Sequence, residues 1–268
     1  MRATIWGCRG SLATPGPSTV RYGGNTSSLE VRTRSGELIV VDAGTGIRGL
    51  GWALGAEPPA RIHLLLTHLH LDHVEGLGFF TPIFDERCEL TIWGPRQAEG
   101  SLRDRIVGYL SPPFFPVPFE RLPSRIEVNE ILDDTWEVAG VTVRSARVHH
   151  PGPTVGYRLE ANGSALAYIP DNEPGLQPES GLELAAGATV LLHDAQYTTQ
   201  EYATRVGWGH TDLTHFAELV GAAGAGRTLM FHHDPAHDDA TLERMRDEAE
   251  DHAGRELELA REGAVLEL

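Results

Sequence analysis

Short apolar and β-branched runs, closed off by Gly, Pro, Asp or Asn, recur along most of the chain and read as strands. They fall at residues 3–6, 28–34, 37–41, 62–67, 89–93, 141–148, 155–159, 165–169, 189–193 and 227–231. The intervening patterns fit helices at residues 46–53, 73–78, 97–110, 211–221 and 240–262. The last of these is mostly charged and reads as a solvated outer face. Residues 111–119 hold Pro112, Pro113, Pro116 and Pro118, which no regular helix or central strand accommodates, so this is a loop. Its Phe114, Phe115 and Phe119 suit core packing or a contact between two copies of the chain, with a substrate lid as the other reading. No linker, low-complexity tract or repeat interrupts the alternation. The pattern therefore predicts a single α/β domain over residues 1–268, with sheets covered by helices.

Composition narrows the class. Hydrophobic residues make up 41% of 268 and there are 30 Gly, enough for a sizeable core with many tight turns. No apolar run is long enough to span a bilayer, so no membrane partner is expected. The opening Met1-Arg-Ala-Thr-Ile-Trp-Gly reads as a strand rather than a signal peptide. Cys8 and Cys88 make no disulfide framework, and a cytoplasmic setting is expected. The formal net charge of −16 lacks the basic footprint of a chain that grips nucleic acid, so no long nucleic acid is expected. A small phosphate ester stays open, because bound metal ions can dominate a local field. Thirteen histidines, against 3 Met and 2 Cys, point to metal or proton-transfer chemistry.

Spacing makes that specific. Thr67-His68-Leu69-His70-Leu71-Asp72-His73 follows the apolar run 62–66 and crowds four metal-competent side chains just past a strand end. Imidazole and carboxylate suit Zn²⁺ first, with Mn²⁺ and Fe²⁺ compatible. His68 and His70 share a side in extended chain, and Asp72 with His73 opens the next helix, facing a second ion. More donors must come from later strand ends: His149-His150, Asp171 and His232-His233 qualify. Adjacent residues in extended chain face opposite ways, so one histidine of each pair should reach the metals.

The HxHxDH segment, followed by His, Asp and His on later strand ends, resembles the metallo-β-lactamase superfamily, and within it the branch with ribonuclease Z and the phosphoribosyl cyclic phosphodiesterases. Gly7-Cys-Arg-Gly-Ser11 with Arg21-Tyr-Gly-Gly-Asn-Thr-Ser27, Val41-Asp42-Ala-Gly-Thr45, His150-Pro-Gly with Gly156-Tyr-Arg158, and Leu192-His-Asp-Ala195 with Gly209-His-Thr211 support the branch. Ser28 stands where that branch suggests a cysteine, a departure without consequence since no thiolate is a ligand. The resemblance implies a four-layer αββα fold and two divalent metal ions. One would take His68, His70 and His150, the other Asp72, His73 and His232, with Asp171 bridging. It implies His210 as general acid, with Asp194 fixing its imidazole and Asp72 shared between metal binding and catalysis. Asp42 fits either an outer partner of a ligand histidine or a turn former.

The function expected is hydrolysis of a small cyclic or linear phosphodiester. Hydrolysis of a lactone, β-lactam or thioester is the alternative within the fold. Precursor tRNA processing is disfavoured by charge and by the short stretch between His150 and Asp171, which leaves no room for a basic arm. A non-catalytic metal-stabilised scaffold is disfavoured by the acid–base pair outside the ligand set. His63, His193, His215, His237 and His252 carry no assigned role; the last three are expected at the surface.

Overall fold

The computed structural model describes residues 1–268. The first half builds β1 (Arg2–Gly7), β2 (Ser28–Arg32), β3 (Leu38–Val41), β4 (Arg61–Leu65), β5 (Glu89–Pro95) and β6 (Arg125–Ile131). The second builds β7 (Thr135–Val138), β8 (Val141–Arg147), β9 (Val155–Ala161), β10 (Ser164–Ile169), β11 (Val190–Asp194), β12 (Arg227–Phe231), β13 (Glu258–Leu259) and β14 (Val265–Glu267). They form two seven-stranded mixed sheets, ordered β14-β1-β2-β3-β4-β5-β6 and β13-β12-β11-β10-β9-β8-β7.

The period-2 rule sorts the side chains of β3 between two cores. Ile39 and Val41 enter the core between the sheets, with Val31, Tyr157, Leu192 and Phe231. Leu38 and Val40 face the other way, into a core shared with helices α1 (Gly46–Leu54) and α3 (Leu102–Tyr109). The second sheet is covered in turn by α4 (Leu182–Ala185), α6 (Leu213–Ala223) and α7 (Asp239–Ala253). Two short helices, α2 (Leu71–Val74) and α5 (Thr199–Tyr202), sit in the connections beside the site. The result is helix, sheet, sheet, helix, as expected.

Three departures from the expected elements have local causes. The helix expected over 240–262 stops at Ala253, where Gly254 takes a left-handed cap with φ 63°. The charged tail then adds β13 to the second sheet and β14 to the first. Strands β6 and β7 mix charged residues (Arg125, Glu127, Glu130, Glu137) with apolar ones and were not expected. Helix α3 begins only at Leu102, where Ser101 and Asp104 form a reciprocal capping box. In the proline-rich loop Phe115 packs near Phe79 and Phe84, Phe119 is buried and Phe114 is exposed.

Parallel pairing sets the site. Val41 lies opposite Leu65 in β3 and β4, so Asp42 and Thr67 leave at one edge. Ile169 lies opposite His193 and Asp194 opposite Phe231, so Asp171, Asp194 and His232 leave the second sheet together. The sheets are tied just beneath: the Tyr157 hydroxyl donates to the Leu66 carbonyl (2.6 Å) and the Val155 amide to that of Thr67 (3.0 Å).

Candidate metal centre

All the expected site residues converge at that shared edge. His70 Nδ1 lies 3.1 Å from His150 Nε2, and the His68 ring stands 4.5 and 4.8 Å from theirs. Alongside, His73 Nε2 lies 3.3 Å from His232 Nε2, and each is 3.2 Å from Asp72 Oδ2. Asp171 reaches both groups. It is 3.1 Å from His73 Nε2 and 3.3 Å from His232 Nε2, and 3.9 Å from Nε2 of both His68 and His150. The donor atoms group as His68, His70, His150 and as Asp72, His73, His232, each set within one ion's reach.

The outward nitrogens explain why these rings point inward. His73 Nδ1 donates to Asp42 (2.8 Å), His232 Nδ1 to the Gln196 side-chain oxygen (2.8 Å) and His150 Nδ1 to the Gly209 carbonyl (2.8 Å). Thr67 Oγ1 donates to Asp42 and accepts from His68 Nδ1 (3.1 Å). These partners can only accept, or have spent their proton, so the inner Nε2 atoms carry lone pairs. Nitrogens and carboxylates crowded at hydrogen-bond distance call for shared positive charge, which a proton or a metal ion can supply. His68 Nε2 is buried with no hydrogen-bond partner, and Asp171 Oδ2 is buried with only His73 Nε2 in reach, at 3.1 Å. The donor set therefore fits divalent metal ions.

The electrostatics agree. Burial holds His68 well below the usual imidazole range and His150 down to about 4, favouring the neutral, ligating form. Burial also acts on His73, but the carboxylates of Asp171, Asp72 and Asp42 outweigh it and raise that ring well above its ordinary value. Burial works against the charge of Asp171, yet His232, His73 and His68 hold its carboxyl well below the usual range. Three carboxylates, Asp171, Asp72 and Asp42, thus ask for positive charge at the second position.

His210 Nδ1 donates to Asp194 Oδ2 at 2.8 Å, and its ring stacks 4.9 Å from His232. Asp194 is fully buried and also accepts from the Asn172 and Gln196 amides. Asp42 proves both turn former and partner: its φ is 60°, and it accepts from Thr67, His73 and Tyr168. Ser11 and His232 also have φ 60°, so three non-glycine residues with left-handed backbone line one site, each at a cost of about 1–3 kcal/mol. The Ser11 amide donates to Asp72 Oδ2 (2.7 Å).

The other histidines of each pair face elsewhere. His233 Nε2 meets the Ala260 carbonyl (2.9 Å), and the His149 backbone is held by Asn172 and Ser180. His193 bonds to the Asp194 carbonyl and to Asn172. His237, expected at the surface, is buried: its carbonyl accepts from Arg9 and its Nε2 bonds Glu201. Gln196 and Glu173 had not been singled out, and Gly209 only as part of the Gly209-His-Thr211 segment. Each acts through a contact with a distant residue, and only the Gly-His dipeptide at 209–210 gave any local sign.

The family model described as the beta-lactamase superfamily domain matches residues 37–233. A ribonuclease Z from Mycobacterium sp. (strain KMS) is 29% identical over 238 residues, covering 82% of this chain and 78% of the relative. Human tRNase Z, short form, superposes with a TM-score of 0.72 at 19% identity, over 100% of this chain and 99% of that one. Zn²⁺-bound PqqB from Methylobacterium extorquens superposes with 0.75 at 20% identity, over 100% of both. These relatives overturn the expectation that a long nucleic acid is no partner. A net charge is a sum over the whole surface and does not describe the field at one edge, and a basic arm is only one way to hold RNA. With residues 37–233 matched and the histidine–aspartate cluster assembled at the joined sheet edges, the chain belongs to the beta-lactamase superfamily and is a metal-dependent hydrolase of the metallo-β-lactamase fold.

Proposed function

We propose that the chain hydrolyses phosphodiesters. The observation that carries this reading is the His210–Asp194 pair standing beside the ligand cluster but committed to each other. His68, His70 and His150 would hold one divalent ion and Asp72, His73 and His232 a second, with Asp171 shared. The imidazole-rich donor set puts Zn²⁺ first by affinity, and the carboxylates keep Mn²⁺ and Fe²⁺ compatible. Such ions supply a Lewis acid for the phosphoryl oxygens and a water acidic enough to serve as nucleophile.

The chain's own residues do the rest. Asp42, Gln196, Gly209 and Thr67 engage the outer nitrogens and so aim the inner ones at the site. His210 donates a proton from Nε2 to the leaving oxygen, because Nδ1 is engaged with Asp194, which holds the ring in place. An acyl substrate with a good leaving group would have little use for this pair. A small cyclic or linear diester is the first substrate reading. An RNA 3′ end is the second reading, favoured by the relatives named ribonuclease Z.

The test is turnover by metal-defined protein of bis(p-nitrophenyl) phosphate, cyclic mononucleotides, a 3′-extended precursor tRNA, a lactone and a thioester. Phosphodiester cleavage abolished by chelation is expected. Turnover confined to the lactone or thioester would refute it.

A further inference from the structure

The connection from α5 to α6 carries more than His210. Glu173 is buried, and its Oε1 accepts from the Tyr202 hydroxyl (2.9 Å) and the Gly207 amide (2.7 Å), while Oε2 accepts from the Gly209 amide (2.7 Å). Gly207 and Gly209 have φ of 85° and 92°, a backbone that side chains rarely adopt. Between these clamped glycines stands Trp208, 60% exposed. The clamp abuts the cluster, since the Gly209 carbonyl is the acceptor for His150 Nδ1. A lone exposed aromatic is ordinary on a protein surface, but this one is fixed by a buried carboxylate next to the ligand cluster, which makes it a rigid stacking face at the site.

The same connection supplies a cation. The Arg205 guanidinium lies 4.7 Å from the Tyr197 ring centroid, and Tyr197 stands edge-on to His210 with centroids 5.7 Å apart. Arg205 Nη1 is buried without a hydrogen bond, while 29% of the side chain stays exposed. Glu201 Oε1 is 3.6 Å away, but it already accepts from His237 Nε2 at 2.9 Å. The exposed edge of this guanidinium, separated from the proposed acid by the Tyr197 ring and committed to no hydrogen bond, is suited to an incoming anion in a chain of net charge −16.

We propose that Trp208 and Arg205 form a recognition subsite for the base-bearing half of a nucleotide phosphodiester, with Glu173 as the positioning residue that holds the connection in place. The indole stacks on the base and the guanidinium binds a phosphate oxygen. Stacking tolerates any base, so the subsite selects for a nucleotide rather than for a sequence. This deepens the phosphodiester reading and rests on it for the identity of the ligand. Free cyclic nucleotides and an RNA end share this chemistry.

Calorimetric titration of metal-loaded protein with adenosine 5′-monophosphate and with ribose 5-phosphate tests the subsite without turnover. The wild type should prefer the base-bearing ligand by about tenfold, within the range one stacked base supplies. W208A should abolish that preference and W208F retain most of it, while R205A should weaken both ligands alike. A preference that survives W208A, or binding untouched by R205A, overturns the proposal. In turnover, W208A should raise KM for thymidine 5′-(p-nitrophenyl phosphate) about tenfold more than for methyl p-nitrophenyl phosphate, which shares the leaving group. E173Q should reduce the same base preference at unchanged metal content. If neither ester is cleaved but the Trp208-dependent preference in binding holds, the subsite stands and the phosphodiester reading falls. Comparing W208A with wild type on a cyclic mononucleotide and on a 3′-extended precursor tRNA identifies the source of the base. A loss on neither overturns the proposal.

Discussion

Removing the His210 imidazole separates proton donation from metal binding. Its Nδ1 is 2.8 Å from Asp194 Oδ2, but its ring also lies 5.1 and 4.9 Å from those of His150 and His232, and Nδ1 is 3.8 Å from Asp171 Oδ1. Distance alone therefore admits His210 either as an acid or as an extra ligand. A positioned acid contributes about 10²–10⁴ in rate, equivalent to about 2.7–5.4 kcal/mol of transition-state stabilisation. H210A should slow hydrolysis of a diester with an alkyl leaving group by about 10²-fold or more. With p-nitrophenolate as the leaving group, which needs little protonation, the loss should be much smaller. D194N leaves the ring in place but substitutes an amide among three donors: His210 Nδ1, the Asn172 amide and the Gln196 amide. At least one donor then faces an NH₂ group, a cost of about 1–3 kcal/mol in stability. The kinetic pattern of D194N should match that of H210A in weaker form. The assay is steady-state kinetics on the two esters, with metal content determined on the same preparations. Equal slowing of both substrates with metals retained would refute the acid assignment, and loss of a metal would make His210 a ligand.

Other outcomes follow from the same geometry. Elemental analysis of Zn²⁺-supplemented protein should find about two ions per chain; one or none would remove the bridging role of Asp171. Chelation should lower the thermal midpoint, because ligands drawn from β4 to β12 tie the sheets together, and saturation at a thousandfold over Kd stabilises by about 4 kcal/mol. An unchanged midpoint after verified metal removal would contradict that. D42N should weaken metal binding by about 10–100-fold in competition with a chromogenic chelator, since Asp42 fixes both His73 and Thr67; unaltered affinity would reduce Asp42 to a turn former. Burial pushes the Cys88 thiol up to about 11 and that of Cys8 further. The thiolate is therefore scarce below that range and increases only as pH rises through it, so iodoacetamide at pH 8 should label neither in the folded protein by mass spectrometry. Rapid labelling of either would show that its core opens readily.

The sequence by itself determined the parts that local chemistry can encode. Period-2 patterning marked most strands, and the segment from Thr67 to His73 placed four donors beyond a buried strand because its spacing allows little else. Alternation also narrowed each histidine pair to a single inward ring, and the fold places His150 and His232, not His149 and His233, against the cluster. The charged tail misled, because β13 and β14 are edge strands whose pairing with β12 and β1 depends on partners far along the chain. The outer contacts were equally invisible. Gln196 lies 36 residues from His232 and Gly209 lies 59 from His150, and neither residue type announces a hydrogen bond to an imidazole. Glu173 looks like any surface carboxylate until the fold buries it beneath Gly207 and Gly209. Net charge, read over the whole chain, spoke to the average surface and not to one edge. Tertiary structure decided these points because burial, register and the sharing of a proton between distant residues are properties of the assembled sheets, not of any segment alone.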